Sequence, residues 1–235
     1  MGHYGYGFYG IDWTVLLLLA GMVLSMLASA KLKRTFSVYC RIPSASHMTG
    51  AQAAQRILSM AGLSHVQVCP VAGQLTDHYD PRTRTVRLSE AVYNQTSLAA
   101  VGVAAHECGH AVQHHTQYAP LRWRSAIVPI ANFGSGLSWP VFLIGLLTSI
   151  RPLLYLGILL FLGAVLFQLV TLPVELDASA RALRLLTEDG ILAQQEVSGA
   201  RKVLGAAALT YVAALASSIL QLLRLLILAG GRNRE

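Results

Sequence analysis

Four long apolar runs, at residues 11–30, 127–150, 152–172 and 203–223, constrain this chain more than any other feature. Each is close to the roughly 20 residues that carry an α-helix across a hydrocarbon core, so four membrane spans are expected. The composition agrees, with 54% hydrophobic residues, only 12% charged residues and a mean hydropathy of +0.52. Soluble domains carry about a quarter charged residues, so lipid is expected to be part of the solvent. The same apolar content excludes disordered and fibrous classes.

The first run reads as an uncleaved anchor, because Lys31, Lys33 and Arg34 follow it, whereas a secretory signal places its basic residues ahead. The Gly- and Tyr-rich tail at residues 1–10 suits a membrane interface. Only Arg151 separates the second run from the third, which makes a tight helical hairpin. Pro129, Asn132, Gly134, Gly136 and Pro140 punctuate the second run, so a kinked helix packed among satisfying neighbours is expected. Small residues at 205–208 and 213–218 suit close helix approach in the fourth. Cys40, Cys69 and Cys108 cannot all pair, which fits a reducing compartment better than a disulfide framework. The formal charge of +7 points to cations sorted to one membrane face rather than to nucleic-acid binding.

Residues 31–124 form the one stretch of mixed soluble composition, enough for a small α+β domain. Residues 49–61 space their apolar side chains as an amphipathic helix with Ser and Thr capping candidates ahead and Gly62 behind. Residues 66–71 and 85–88 are short β-type runs, and the intervening Asp77-His78-Tyr79-Asp80-Pro81 has the composition of a turn. Residues 97–118 are apolar and small at first, then dense in His. That makes a buried helix of the soluble domain and too polar a segment to span lipid.

This last helix carries His106-Glu107-Cys108-Gly109-His110, the HExxH pattern. Histidines at i and i+4 share one helix face and can bind one Zn²⁺ together, while the glutamate between them stays available as a proton acceptor. Catalytic zinc needs a third protein ligand. The metzincin extension fails, since Gln113 and Thr116 stand where Gly and His are required. His114 and His115 lie on the same rigid helix and read as a surface pair at its wet end. Glu175 is the better candidate, because acidic groups leaving an apolar segment are costly unless they face a partner or a metal. The hairpin also returns the chain to the face it left after Arg124, which puts Glu175 on the same side as the histidines. Pro173 suits the first turn of a new helix, so the alternative for Glu175 and Asp177 is a pair of carboxylates at a helix amino terminus.

With these strings in view, the chain resembles the bacterial membrane zinc metallopeptidases of the YugP type, the neutral zinc metallopeptidases. The resemblance spans nearly the whole sequence. It rests on Met48-Thr49-Gly50-Ala51, on residues 73–81 (GQLTDHYDP), on Val86-Arg87-Leu88-Ser89, on residues 104–111 (AAHECGHA) and on residues 172–179 (LPVELDAS). It implies a zinc-dependent membrane peptidase with His106, His110 and Glu175 as ligands. A more distant likeness to the HtpX and CAAX prenyl endopeptidases breaks down at Ser179, where those proteins carry Asp. The group that orients His106 is therefore left between Asp177, Ser179 and a backbone carbonyl.

The expectation is a zincin-like α+β peptidase domain inserted in a four-span α-helical membrane bundle. The chain divides into a tail and first span (1–30), the zinc peptidase domain (31–124), a membrane hairpin (125–172), a helical segment with the third ligand (173–202), and a fourth span with its tail (203–235). Zn²⁺ is the expected cofactor, with Glu107 catalytic and His106, His110 and Glu175 as ligands. His78 or Tyr79 could line the cleft and steady an oxyanion. The expected partners are a polypeptide substrate, drawn from membrane proteins, and the lipid bilayer, with self-assembly or a regulatory membrane partner left open. A zinc-stabilised scaffold without catalysis and an intramembrane protease are the rival readings. Lys31, Lys33, Arg34, Arg41, Arg122, Arg124, Arg181, Arg184, Arg201 and Lys202 would share the catalytic face, against Arg151, Arg232 and Arg234 opposite. That bias predicts a multi-pass plasma-membrane protein with a cytoplasmic zinc face.

Overall fold

A computed structural model of the chain describes residues 12–231. The aromatic tail at residues 1–10, the start of the first run at Ile11, and Arg232 and Arg234 of the charge bias lie outside the described residues. The elements in order are α1 (Val15–Tyr39), α2 (Gly50–Met60), β1 (Gln67–Val71), β2 (His78–Asp80), β3 (Thr85–Ser89), α3 (Glu90–Tyr93), α4 (Leu98–His115), α5 (Ala119–Thr148), α6 (Arg151–Glu188) and α7 (Gln194–Gly231). The fold is mostly helical with one small sheet. Helices α1, α5, α6 and α7 are long and apolar enough to cross a membrane, and α4 is not among them.

The chain forms two compact units. One comprises Ala28–Trp123 and Thr171–Tyr211 and contains the sheet. Its strand order is β1-β3-β2, with β1 parallel and β2 antiparallel to β3. Central β3 places Val86 and Leu88 in the core with Ile57 and Leu58 of α2 and the fully buried alanines Ala100, Ala104 and Ala105 of α4. Small side chains on α4 let neighbours close on it, and a Cβ at Gly102 would lie 3.3 Å from the Ala200 Cβ of α7. Helix α2 begins with a capping box, in which the Thr49 hydroxyl accepts from the Gln52 amide and the Gln52 side chain accepts from the Thr49 amide.

Two expectations change here. The 77–81 string is not simply a turn, because His78–Asp80 pairs with β3 as a strand. Its acidic residues tie down backbone at either end, Asp77 accepting from the Ser89 amide and hydroxyl and Asp80 from the Arg82 amide and the Thr83 hydroxyl. Arg84, with φ of 53°, closes the hairpin. Pro173 begins no helix, since it lies inside the uninterrupted α6, and Glu175 is therefore not an amino-terminal carboxylate. One lost backbone hydrogen bond costs a long packed helix less than breaking would. The fourth long helix runs on past Leu223 to Gly231.

The other unit comprises the chain up to Leu27, Arg124–Val170 and the chain from Val212. Pro129 and Pro140 lie within a continuous α5. Phe142, Leu154, Leu225 and Ala229 form its buried cluster. Gly134 faces the Leu160 carbonyl, Gly157 faces Phe142, and Ser217 donates to the Gly21 carbonyl at 2.8 Å. The small residues at 213–218 thus serve packing as expected, whereas Gly205 in the other group has open space beside it.

Candidate metal centre

Within the sheet-containing unit, α4 and α6 meet where a side chain is missing. A Cβ on Gly109 would stand 2.6 Å from the Ala178 carbonyl oxygen, too close for any residue but glycine without moving a helix. A glycine costs about 1 kcal/mol in a helix interior, and here the cost is offset by the approach it permits. That approach carries His106 and His110 onto Glu175.

His106 Nε2 lies 3.2 Å and His110 Nε2 3.5 Å from the same oxygen, Glu175 Oε2. The potential ligand atoms of the three residues all fall within 4.8 Å of one another. Two donors bound to zinc at 2.0 to 2.1 Å in a tetrahedron stand about 3.3 Å apart, so the two histidine-to-glutamate separations fit edges of such a site. The donor types, two imidazole nitrogens and one carboxylate oxygen, also suit zinc. Glu175 is only 2% exposed, and a carboxylate at that depth requires cationic or hydrogen-bonding compensation.

The outer partners determine which nitrogen of His110 faces inward. Gln113, fully buried, donates through Nε2 to the Val174 carbonyl and to Asp177 Oδ2, both at 2.8 Å. Its amide oxygen is thereby turned to His110 Nδ1 at 3.0 Å. An acceptor there requires the proton on Nδ1, which leaves the Nε2 lone pair for a metal. Asp177 is in turn held by Arg181, whose Nε donates to it at 2.6 Å while the guanidinium lies over the Tyr118 ring. Ser179, on the same helix, meets His106 Nδ1 at 3.2 Å. Of the three groups left open for orienting His106, Ser179 is the one in contact, and Asp177 acts on His110 through Gln113. Burial disfavours a charged His110, but the hydrogen bond to Glu175 and the charges of Glu107 and Glu175 outweigh it and raise its pKa. The pocket thus favours positive charge at its centre.

Glu107 is 7% exposed and has no hydrogen bond or ion pair with any other described residue. A buried carboxylate without a structural partner is available for chemistry. Cys108 is fully buried, its thiol pKa pushed up by burial and by the Glu107 charge, and it donates to the Ala54 carbonyl as a packed thiol. Tyr79 reaches α4 one turn beyond the histidines, its hydroxyl 2.8 Å from His114 Nδ1. Burial raises its pKa further above neutrality, against the pull of Arg84. The exposed His78 turns its ring to the Thr76 carbonyl. Among the described contacts, neither His78 nor Tyr79 joins the His106, His110 and Glu175 cluster, and His115 is exposed.

Over residues 14–230 the chain matches the family described as "Putative neutral zinc metallopeptidase". The chain belongs to this family. It is 48% identical to the "Putative membrane protease YugP" of Bacillus subtilis (strain 168), over 94% of this chain and 99% of the relative. No solved structure matches it. A neutral zinc metallopeptidase agrees with the donor set formed by α4 and α6, and four apolar helices agree with a relative named as a membrane protease. Sequence reasoning missed Gln113. It was visible only as a polar residue one turn past His110, on the same face of α4 as His106 and His110.

Proposed function

We propose that the protein is a membrane-embedded zinc endopeptidase with a zincin-like catalytic domain, hydrolysing peptide bonds of membrane-associated or membrane-proximal proteins. The observation that carries this reading is the convergence of His106 Nε2 and His110 Nε2 on Glu175 Oε2 beside the unpartnered carboxylate of Glu107. His106, His110 and Glu175 would hold zinc, whose chemistry when bound is to polarise a scissile carbonyl and the attacking water. Glu107 accepts the proton of that water on a carboxylate oxygen and passes it to the leaving amine nitrogen. Gln113 and Ser179 hold the two imidazoles in place, so neither ring has to reorganise during the reaction. Four helices long and apolar enough to cross a membrane in the same chain support membrane proteins as substrates. The cations Lys31, Arg34, Arg124, Arg184 and Lys202 near the apolar runs support a cytoplasmic site. Outside labelling of a cysteine placed at Arg84 in intact cells would contradict that orientation.

Glu107→Gln tests the chemistry. The amide cannot accept the proton, so peptide hydrolysis should fall by about 10²- to 10⁴-fold, with zinc content and fold unchanged. Full activity in zinc-loaded Glu107→Gln protein would overturn the peptidase reading, and a zinc-stabilised scaffold would then account for the site.

A further inference from the structure

A second charged feature lies away from the metal centre. The carboxyl-terminal part of α1 and the amino-terminal third of α7 border a cleft of about 440 Å³. Lys31, Arg34, Thr35 and Val38 follow the i, i+3, i+4, i+7 spacing and so form one stripe of α1. Lys202, Gly205 and Ala206, at i, i+3 and i+4, form the facing stripe of α7. Gly205 has open space where a Cβ would stand, which leaves the floor unfilled. Lys202 Nζ sits 5.9 Å from the centre of the Tyr39 ring, which holds this cation at the rim.

Three cations thus border one cleft, and none makes an ion pair with a described acidic residue. The acid in the first turn of α7, Glu196, is already engaged by the Ala45 and Ala193 amides. All three cations are exposed, and cations gathered around one cleft without an acidic neighbour favour an anion from outside the protein. Lys31 directly follows the apolar run of α1 and Lys202 directly precedes that of α7. Both walls therefore place their charge where a hydrocarbon core would end. Val38, half exposed, adds apolar surface beside the charges.

We propose that this cleft binds a phosphate-bearing anion, supplied by the headgroup of an acidic phospholipid or by phosphate from solution. The general attraction of basic residues to an anionic leaflet is worth roughly a fivefold change in affinity per cation. A built site differs from that background in depending on which cations are removed. Lys33 and Arg201 are exposed neighbours on the same two helices but do not line the cleft, and they provide the control.

Binding of phosphatidylglycerol, phosphatidylcholine and inorganic phosphate to the full-length protein in neutral detergent would be measured by native mass spectrometry and by titration. The comparison is between wild type, Arg34→Gln with Lys202→Gln, and Lys33→Gln with Arg201→Gln. Zinc retention serves as the check that each variant is folded. Phosphatidylglycerol preferred over phosphatidylcholine, weakened about 25-fold in the cleft variant and unchanged in the control, is the expected result and assigns the lipid source. The same variant dependence for inorganic phosphate without a lipid preference would support the site with a soluble source. Equal losses in both double variants, or no preference for either phosphate-bearing anion over phosphatidylcholine, would overturn the proposal.

Discussion

Two leucines on α6 stand in opposite surroundings. Leu159, in the unit without the sheet, is 64% exposed, whereas Leu186, in the unit with it, is wholly buried against the sheet-containing core. Ile130 and Phe133 of α5 are as exposed as Leu159. Apolar character alone therefore does not say what covers a residue. The two regions differ instead in what accompanies their apolar side chains. Around α4 the buried residues are small and enclose polar groups with assigned partners, such as Gln113 and Glu175. On α5 and the first half of α6 large aliphatic side chains point outward, which is economical only in an apolar solvent.

The sharpest way to break this comparison is at the polar centre. Glu175→Ala should abolish zinc retention on dialysis against a weak chelator, a larger loss than the roughly 10- to 100-fold expected from altering an outer partner. The reason is that the proposed third ligand comes from a second helix, and the single helix α4 cannot replace it. Full zinc content in the variant would show that the third ligand lies elsewhere.

Next in size is the pair of leucines itself. Leu186→Ala should destabilise the protein by about 2 to 5 kcal/mol, because it empties a fully packed position. Leu159→Ala should stay within about 0.5 kcal/mol, as surface substitutions usually do. Reversible denaturation in bicelles would measure both. Equal losses would mean that Leu159 is covered by protein in the membrane, and the contrast between the units would then disappear.

Much of this arrangement is written locally. The four long helices are legible because hydropathy needs only a window of neighbouring residues, and the His106 and His110 pair because i and i+4 share a face on any helix. Glu175 is legible as a charge where an apolar segment should not carry one. Pro173 misleads because its local rule, favouring a first turn, yields to the packing of a long helix. His78–Asp80 misleads because turn-forming residues can cap a short strand as well as interrupt it. Gln113 was beyond local reading altogether. Its meaning depends on Val174 and Asp177, 61 and 64 positions away, and on the closeness of α4 and α6 that Gly109 allows.

Gln113 also provides the smallest and most discriminating test. Its side chain fills no ligand position, yet it fixes the His110 tautomer by accepting from Nδ1 while its own amide is spent on Val174 and Asp177. Replacing it by Leu preserves bulk but removes the acceptor, so the ring can turn or protonate on the wrong nitrogen. Zinc affinity should fall by about 10- to 100-fold, the usual loss for such a partner, and the visible spectrum of the cobalt-substituted protein should change as the nitrogen donor shifts. His114→Ala, one residue further along α4, removes only the Tyr79 hydroxyl's partner. It should cost about 1 kcal/mol of stability and leave both the affinity and the spectrum unchanged. If Gln113→Leu and His114→Ala gave the same zinc affinity and the same cobalt spectrum as wild type, the buried amide would be a packing element and His110 would be oriented by Glu175 alone.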